Sequence, residues 1–323
     1  MIDTSSCASN APENIALSAA EARQRMIAEV TPIVGHEFVP VRSALGRILA
    51  ADIIAPHDVP AHDNSAMDGY AICFDSLAGD VETRLSVVGT AFAGNAFSGQ
   101  VGKGQAVRIM TGAVLPAGAD TVVVQEVTRV ESGAVFIPSG QRHGQNTRRA
   151  GEDLARGAVA LAAGKRIGPA ELGLIASLGI AEVDVKRRLR VAFFSTGDEL
   201  TSIGNPLAPG EIYDSNRYTL HGLLTRLGAD IIDMGVVPDR PEALEATLAE
   251  AALVADAIIT TGGVSVGEAD FIKEILAKLG EVRFWKLNIK PGRPMAFGKV
   301  GNAWLFGLPG NPVAVMVSYT QFA

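Results

Sequence analysis

Four carboxylates follow predicted strands in the C-terminal half of the chain: Asp198, Glu199, Asp239 and Asp270. Carboxylates gathered at one edge of a sheet repel one another unless a cation lies between them. Mg²⁺ suits such a place because it takes oxygen ligands, commonly one or two carboxylates together with substrate phosphates. The simpler alternative is a helix-capping role, since Asp239 and Asp270 each precede a predicted helix. We expect these four residues to form a Mg²⁺ site.

Three glycine-containing loops lie where predicted strands end: STGDE at 195–199, TTGG at 260–263 and GLPGNP at 307–312. Glycine lets the backbone approach a ligand, and helix N-termini favour anions. Open α/β sheets bind ligands at the carboxyl ends of their strands. One such loop is usually an ordinary turn, but three favour a binding crevice. The candidate ligand-binding residues are Ser195, Thr196, Gly197, Thr261, Gly262, Gly263, Ser265, Pro309, Gly310 and Asn311.

Basic residues cluster in WKLNIKPGRP at 285–294. Alternation places Lys286, Asn288 and Lys290 on one face of a predicted strand, and Arg293 follows in the Pro-Gly turn. Solvated lysines on an edge strand are the simpler interpretation. Three cations near a carboxylate crevice instead suggest recognition of phosphate or another oxyanion.

The stretch GVSVG at 263–267 matches the G-x-S-x-G nucleophile elbow of hydrolases. In that fold the catalytic histidine follows the serine in the chain. All five histidines precede Ser265, namely His36, His57, His62, His143 and His221. The hydrolase interpretation therefore lacks its base, and we expect Ser265 to be a hydrogen-bond donor or a turn residue.

The composition limits the partners of the chain. The 323 residues carry a formal charge of -7 with a pI of about 5.3, which argues against general affinity for nucleic acid or an anionic membrane. Two cysteines allow no disulfide framework, so we expect a reducing, cytoplasmic setting. The N-terminus has no basic and apolar regions of the kind that a secretory signal needs.

The pattern of predicted elements changes along the chain. A capping box at Ser18 predicts a helix to about Val30, and Ser43 is predicted to cap a helix over 44–50. Short runs at 84–88, 106–110, 121–125 and 134–137 predict a β-rich part. Further on, strands at 191–194, 230–234 and 255–259 and helices at 169–178, 215–227 and 241–254 predict an α/β layer with a mainly parallel sheet.

Seven motifs occur in one order along the chain: DNSAMDGYA at 63–71, RIMTG at 108–112, RAGED at 149–153, STGDEL at 195–200, TGGVSVGEAD at 261–270, KPGRP at 290–294 and GLPGNPV at 307–313. Together they resemble the molybdopterin molybdenumtransferase family, of the MoeA type and the gephyrin E domain. The similarity runs from about residue 15 to the end. Each motif alone is weak, whereas the ordered set is highly specific.

The resemblance implies a Mg²⁺-dependent transferase of molybdenum cofactor biosynthesis. Such an enzyme takes molybdate and adenylylated molybdopterin, cleaves the phosphoanhydride, releases AMP and leaves molybdenum on the dithiolene. The positions that match functional ones in the family are Asp68, Thr111, Arg148, Asp153, Glu199, Asp239, Asp270, Lys286 and Lys290.

The resemblance also implies a multidomain α/β plus β fold. We expect a three-layer αβα domain of the molybdopterin-binding type at 188–323, an inserted β-rich, barrel-like domain at 59–150, and a small mixed α+β domain at 15–58 and 151–187. Family members continue into a small C-terminal β domain. The helix predicted to begin at Asn311 has no C-cap before Ala323, so we expect this sequence to be cut short.

The expected partners follow from the same resemblance. Family members form elongated homodimers with a shared active site, in which Asp68 and Thr111 would complete the site of the partner. A contact with the molybdopterin-adenylylating protein is a further expectation.

Two other functions stay open at this point. A nucleotide pyrophosphatase of the competence-damage type would explain the TTGG loop but not the MDGY and IMTG motifs. A non-catalytic pterin-binding scaffold would bind without turnover. The choice between molybdate and tungstate also stays open, as does the division of the carboxylates between Mg²⁺ and molybdate.

Overall fold

The computed structural model describes residues 16–262, 275 and 278–323. The chain divides into two compact units, one made of Met1–Glu37 with Lys186–Ala323 and the other of Phe38–Val185. We call the first the α/β unit and the second the β-rich unit, and each is described by itself.

Local sequence signals set the bounds of the helices. These are α1 Ala19–Glu29, α2 Pro169–Ser177, α3 Ser215–Leu227, α4 Pro241–Val254 and α5 Pro312–Phe322. The capping box is confirmed, because Glu21 N donates to Ser18 Oγ at 3.2 Å and Ser18 N donates to Glu21 Oε2 at 2.9 Å. Asn311 caps α5 by accepting from the Val313 and Ala314 amides at 3.0 and 3.2 Å.

The helix predicted over 44–50 is wrong. A short 3₁₀ turn occupies Val41–Ser43, and the chain then leaves helical geometry at Gly46, which has a φ of +78°. The amides of Gly46 and Leu49 donate to the carbonyls of Ile167 and Lys165, at 2.8 and 3.0 Å. These long-range bonds replace the local ones that a helix would need.

The β-rich unit contains mostly short strands. They are β1 His36–Pro40, β2 Ile53–Ile54, β3 Asn64–Ser65, β4 Gly69–Ile72, β5 Thr83–Ala91, β6 Gln105–Ile109, β7 Thr121–Val124, β8 Arg129–Glu131, β9 Ala134–Ile137, β10 Thr147–Arg148, β11 Val159–Leu161 and β12 Glu182–Lys186, of which β1 begins two residues before the unit and β12 ends one residue after it. Six of them form a sheet in the order β7-β4-β6-β5-β9-β8. The four predicted β-like runs fall on β5, β6, β7 and β9, which confirms them.

Apolar clusters in the β-rich unit are separate from one another. The six-stranded sheet has buried residues in two clusters, one including Tyr70, Leu85 and Val123 and the other including Val107 and Ile109. A further cluster packs α2 against residues from both sides of this sheet in the sequence, and its buried members are Val39, Ala44, Leu49, Ile53, Ala55, Ile167, Ile175, Leu178, Val183 and Val185. The unit therefore has more than one core.

The α/β unit contains β13 Arg190–Thr196, β14 Leu200–Thr201, β15 Ile212–Tyr213, β16 Asp230–Val237, β17 Ala257–Thr261, β18 Gly280–Lys286, β19 Pro294–Val300 and β20 Ala303–Leu308. Its main sheet has the order β16-β13-β17-β20-β19-β18. The four adjacent strands β16, β13, β17 and β20 are parallel, while β19 is antiparallel to both of its neighbours, β20 and β18.

Helices cover both faces of this sheet. One core contains residues of α1, α3 and α5 packed on Val191, Phe193 and Ile259. The other contains residues of α4 packed on Ala192, Phe194 and Ile258. Neighbouring residues of each strand thus point into opposite cores, as a sheet buried on both faces requires. None of the helices in the described part of the chain combines the length and apolar character that a membrane crossing requires.

Candidate functional site

Three of the predicted loops meet at one edge of the main sheet. The register pairs Phe194 with Thr260 and Thr260 with Gly307 across three parallel strands. Parallel strands in register end together, so the residues after β13, β17 and β20 lie side by side. The prediction of a shared carboxyl edge is confirmed for the described residues.

The backbones of these loops approach one another closely. Gly262 has a φ of +88°, and a Cβ there would lie 2.2 Å from the Thr196 carbonyl oxygen. A Cβ at Gly310 would lie 3.6 Å from the Gly262 Cα. Behind them, the buried Thr261 hydroxyl donates to Ser195 Oγ at 3.3 Å. Glycine is required at Gly262 because any side chain there would collide with backbone atoms.

The described carboxylates lie beside these loops. The Thr196 hydroxyl donates to Asp239 Oδ1, and the Asp239 amide donates to Asp198 Oδ1 at 3.3 Å. The Glu199 carboxylate folds back against Gly197, where a Cβ would lie 2.6 Å from Oε2. The structure therefore brings Asp198 and Asp239 together around Thr196.

The capping alternative for Asp239 is wrong. Arg240 occupies the N-cap position of α4, and the helix has no side-chain cap. The Asp239 side chain instead accepts from Thr196, on another strand of the sheet.

The donor set at this edge suits a hard cation that arrives with a ligand. Among the described residues, no three His, Cys, Asp or Glu side chains are grouped as a metal cage. Mg²⁺ commonly needs only one or two carboxylates, with water and phosphate oxygens completing its shell. Asp198 and Asp239, which are linked through the Asp239 amide, supply carboxylate oxygens of that kind.

The basic residues lie at the same end of the sheet, but not all on a strand. β18 ends at Lys286, whose register partner is Pro294 at the start of β19. The Leu287 amide still donates to the Arg293 carbonyl at 2.7 Å, but the next amide, of Asn288, donates to the Leu17 carbonyl at 2.8 Å, so the pairing with β19 ends there. The prediction that Asn288 and Lys290 continue the strand is wrong. The side chains of Lys286, Asn288, Lys290 and Arg293 are nevertheless all exposed.

The remaining candidates of the α/β unit are placed by α5. Pro309 is buried, whereas Gly310 and Asn311 are exposed at the helix N-terminus. Gly263, Ser265 and Asp270 lie outside the described residues.

In the β-rich unit, Asp68 and Thr111 form a pair. The Thr111 backbone N–H and hydroxyl both donate to Asp68 Oδ1, each at 2.7 Å. These two bonds, the backbone one first, hold the pKa of Asp68 below its ordinary value. Asp68 is therefore kept as a carboxylate.

Arg148 and Asp153 form a second pair in this unit. The Arg148 guanidinium donates to Asp153 Oδ2 and, through Nε, to Glu152 Oε1 at 2.7 Å. These partners, Glu152 first, raise the pKa of Arg148, and Arg148 lowers that of Glu152. Sequence analysis missed Glu152, although its spacing of four residues from Arg148 is a usable signal.

The fold and this edge define a class of protein. It pairs a β-rich unit with an α/β unit whose glycine loops, carboxylates and lysines gather at the carboxyl ends of parallel strands. Residues 17–179 match the family described as the MoeA N-terminal region (domain I and II), and residues 192–323 match the probable molybdopterin binding domain.

Individual relatives agree with these matches. A molybdopterin molybdenumtransferase of Haemophilus influenzae is 48% identical over 302 residues, covering 93% of this chain and 74% of the relative. The enzyme of the same name from Bacillus subtilis is 39% identical, covering 88% and 68%. A solved molybdopterin biosynthesis MoeA protein of Pyrococcus horikoshii superposes with a TM-score of 0.83 at 31% identity, covering 95% of this chain and 77% of that one.

The chain belongs to the molybdopterin molybdenumtransferase family. This confirms the predicted family, and at the level of the family it confirms a transferase of molybdenum cofactor biosynthesis.

Proposed function

We propose that this protein is a molybdenum insertase. It cleaves the phosphoanhydride of adenylylated molybdopterin, releases AMP and transfers molybdenum from molybdate to the dithiolene. The observation that carries the proposal is the meeting of three glycine loops with Asp198 and Asp239 at one sheet edge, in a chain of this family.

The proposed roles in the α/β unit follow from the chemistry of each group. Amides of the loops at 195–197, 261–263 and 309–311 bind phosphate oxygens, as glycine turns and helix N-termini do. Asp198, Glu199, Asp239 and Asp270 provide the ligands for Mg²⁺, which, when bound, neutralises charge on the anhydride. Lys286, Lys290 and Arg293 bind phosphate or molybdate.

The β-rich unit contributes its own candidates. Asp68, kept ionised by Thr111, and Arg148, paired with Asp153, offer one anionic and one cationic group. We propose that a homodimer brings Asp68 and Thr111 to the site of the partner subunit, and that the molybdopterin-adenylylating protein delivers the substrate.

We also retain the division into three domains, at 15–58 with 151–187, at 59–150 and at 188–323. Separate apolar clusters support it, because the cluster around α2 draws residues from both sides of the inserted β-rich segment.

The test is AMP release from purified adenylylated molybdopterin with Mg²⁺, measured with and without molybdate. The proposal expects release that needs Mg²⁺ and rises with molybdate. Hydrolysis of ADP-ribose without any response to molybdate would instead support the pyrophosphatase, and pterin binding without turnover would support the scaffold.

A further inference from the structure

A side chain that sequence analysis did not single out holds the GLPGNP loop. Asn216 lies in the first turn of α3 and is 8% exposed. Its Nδ2 donates to the Gly310 carbonyl oxygen at 2.7 Å, across 94 residues of sequence. Asn216 therefore links α3 to the loop that begins α5.

This bond fixes the orientation of one peptide group. The carbonyl of Gly310 and the N–H of Asn311 belong to the same trans peptide, so they point in opposite directions. Because Asn216 holds the carbonyl towards α3, the Asn311 N–H points away from α3. A Cβ at Gly310 would lie 3.6 Å from the Gly262 Cα, so this part of the loop borders the second glycine loop.

The polar groups behind this loop are unusually unsatisfied. Asp214, Asn216 and Ser318 are each at least nine-tenths buried, and each has one side-chain oxygen without a hydrogen-bond partner among the described residues. Asp214 caps the same helix turn through its other oxygen, at 3.1 Å from the Arg217 amide. Ser318 lies under the KPGR turn, with its Oγ 2.9 Å from where a Gly292 Cβ would be.

Buried polar atoms without partners cost free energy, so each needs a structural or functional explanation. Asn216 and Ser318 lie beside two loops of the candidate site, at Gly310 and at Gly292. An apolar residue at 216 would remove one of these unsatisfied oxygens, yet it would also release the Gly310 carbonyl. The choice of asparagine is thus explained by the loop and not by packing.

We propose that Asn216 is a positioning residue for ligand binding. It fixes the Gly310–Asn311 peptide so that the Asn311 N–H donates to a phosphate oxygen of the substrate. The inference rests on the proposed function for the identity of that substrate, the pterin nucleotide.

The test compares Asn216→Ala, Asn216→Asp and Thr219→Ala with the wild type. Thr219 lies one turn further along α3 and bonds only back to the Ser215 carbonyl, at 3.1 Å, so it is the matched control. Both Asn216 variants lack the donor. We expect KM and Kd for adenylylated molybdopterin to rise about tenfold, with kcat changed less than threefold and Thr219→Ala unaffected.

A ligand-free readout separates this inference from the proposed function. Backbone ¹⁵N order parameters of residues 310 and 311, measured by NMR relaxation, should be lower in both Asn216 variants than in the wild type and unchanged in Thr219→Ala. Lower order parameters in a protein that does not bind the pterin nucleotide would remove the proposed function but keep the positioning role of Asn216. Unchanged order parameters, or wild-type affinity in Asn216→Asp, would overturn the inference.

Discussion

At the scale of single residues, the most sharply defined group is the Asp68 carboxylate. Two donors of one threonine reach the same oxygen, so the charge is fixed by a residue 43 positions away. Such a bond favours the ionised form over the neutral one. Any role for Asp68 in binding or proton transfer therefore begins from the carboxylate.

Replacing Thr111 by Val should raise the pKa of Asp68 towards its ordinary value without reaching it, because the backbone bond is the larger cause and remains. NMR titration of the Asp68 carboxyl measures this change. A lowered folded pKa stabilises the fold above the unfolded pKa, and that stability is lost as the pH falls through the folded value. In Thr111→Val the folded pKa lies closer to the unfolded one, so Asp68 should stabilise the fold less, and the pH range over which this stability is lost should be narrower.

The control for this prediction is Thr128→Val. The Thr128 hydroxyl donates to the Gln125 carbonyl at 2.9 Å and not to Asp68. An unchanged Asp68 pKa in Thr111→Val, or an equal shift in both variants, would contradict the assignment.

At the scale of elements, the candidate site depends on how closely the loops can pack. A Cβ at Gly262 would lie 2.2 Å from the Thr196 carbonyl oxygen, and a Cβ at Gly310 would lie 3.6 Å from the Gly262 Cα. The first glycine is required for two reasons, a positive φ and a backbone neighbour. These two requirements can be separated by experiment.

Gly262 and Gly235 both have a positive φ, +88° and +83°. A Cβ at Gly262 would collide with the Thr196 carbonyl oxygen, whereas a Cβ at Gly235 would meet no atom within 4 Å. We expect Gly235→Ala to lower the free energy of unfolding by about 1 kcal/mol. Gly262→Ala should lose about 1–3 kcal/mol more, because the Thr196 backbone must shift. Urea unfolding of the whole chain measures both. Equal losses would show that the close approach is unimportant.

Local signals in the sequence were sufficient for many elements. Asp214 and Pro241 mark the starts of α3 and α4, and Gly228 ends α3, so those bounds were predicted correctly. Strands and helices alternate in the C-terminal half of the sequence, which predicts a parallel sheet. The carboxyl ends of parallel strands lie at one edge, so the common position of the loops was predicted as well.

Long-range contacts explain the failures. Nothing local shows that the Gly46 amide bonds to Ile167, so a helix was wrongly predicted at 44–50. The lysine-bearing segment leaves the strand after Lys286, where the Asn288 amide donates to the carbonyl of Leu17, far away in the sequence. The bond between Asn216 and Gly310 spans 94 residues, and a single sequence gives no sign of it.

At the scale of the whole molecule, charge is balanced by specific pairs. In the α/β unit, the Arg187 guanidinium donates two hydrogen bonds of 2.6 Å to the Asp256 carboxylate, and the Arg190 amide donates a third at 2.8 Å. Asp256 and Arg190 stand at the starts of β17 and β13. This cluster therefore fixes the amino edge of the parallel strands, opposite the candidate site.

Asp256→Asn should lower the free energy of unfolding by about 2 kcal/mol at pH 7. Arg187 holds the pKa of Asp256 below its ordinary value. The stabilisation is therefore present above the unfolded pKa of 3.8 and is lost as the pH falls through the folded value, so the two proteins should converge in acid.

Denaturant unfolding at several pH values gives the comparison. Glu82→Gln is the control, because its partner Arg129 is about half exposed and such surface pairs contribute little. A difference for Asp256→Asn that is independent of pH would contradict the ionic explanation.

We propose that the carboxyl edge of the α/β unit carries the chemistry. The most direct measurement is molybdate-stimulated AMP release by Glu199→Gln beside Glu211→Gln. Glu211 lies in the same segment between β13 and α3 as Glu199. Its carboxylate accepts from the Ala208 amide at 2.8 Å, within its own turn. We predict that Glu199→Gln loses at least a hundredfold in rate while Glu211→Gln stays within twofold of the wild type. Equal rates in the two variants would contradict a catalytic role for this edge.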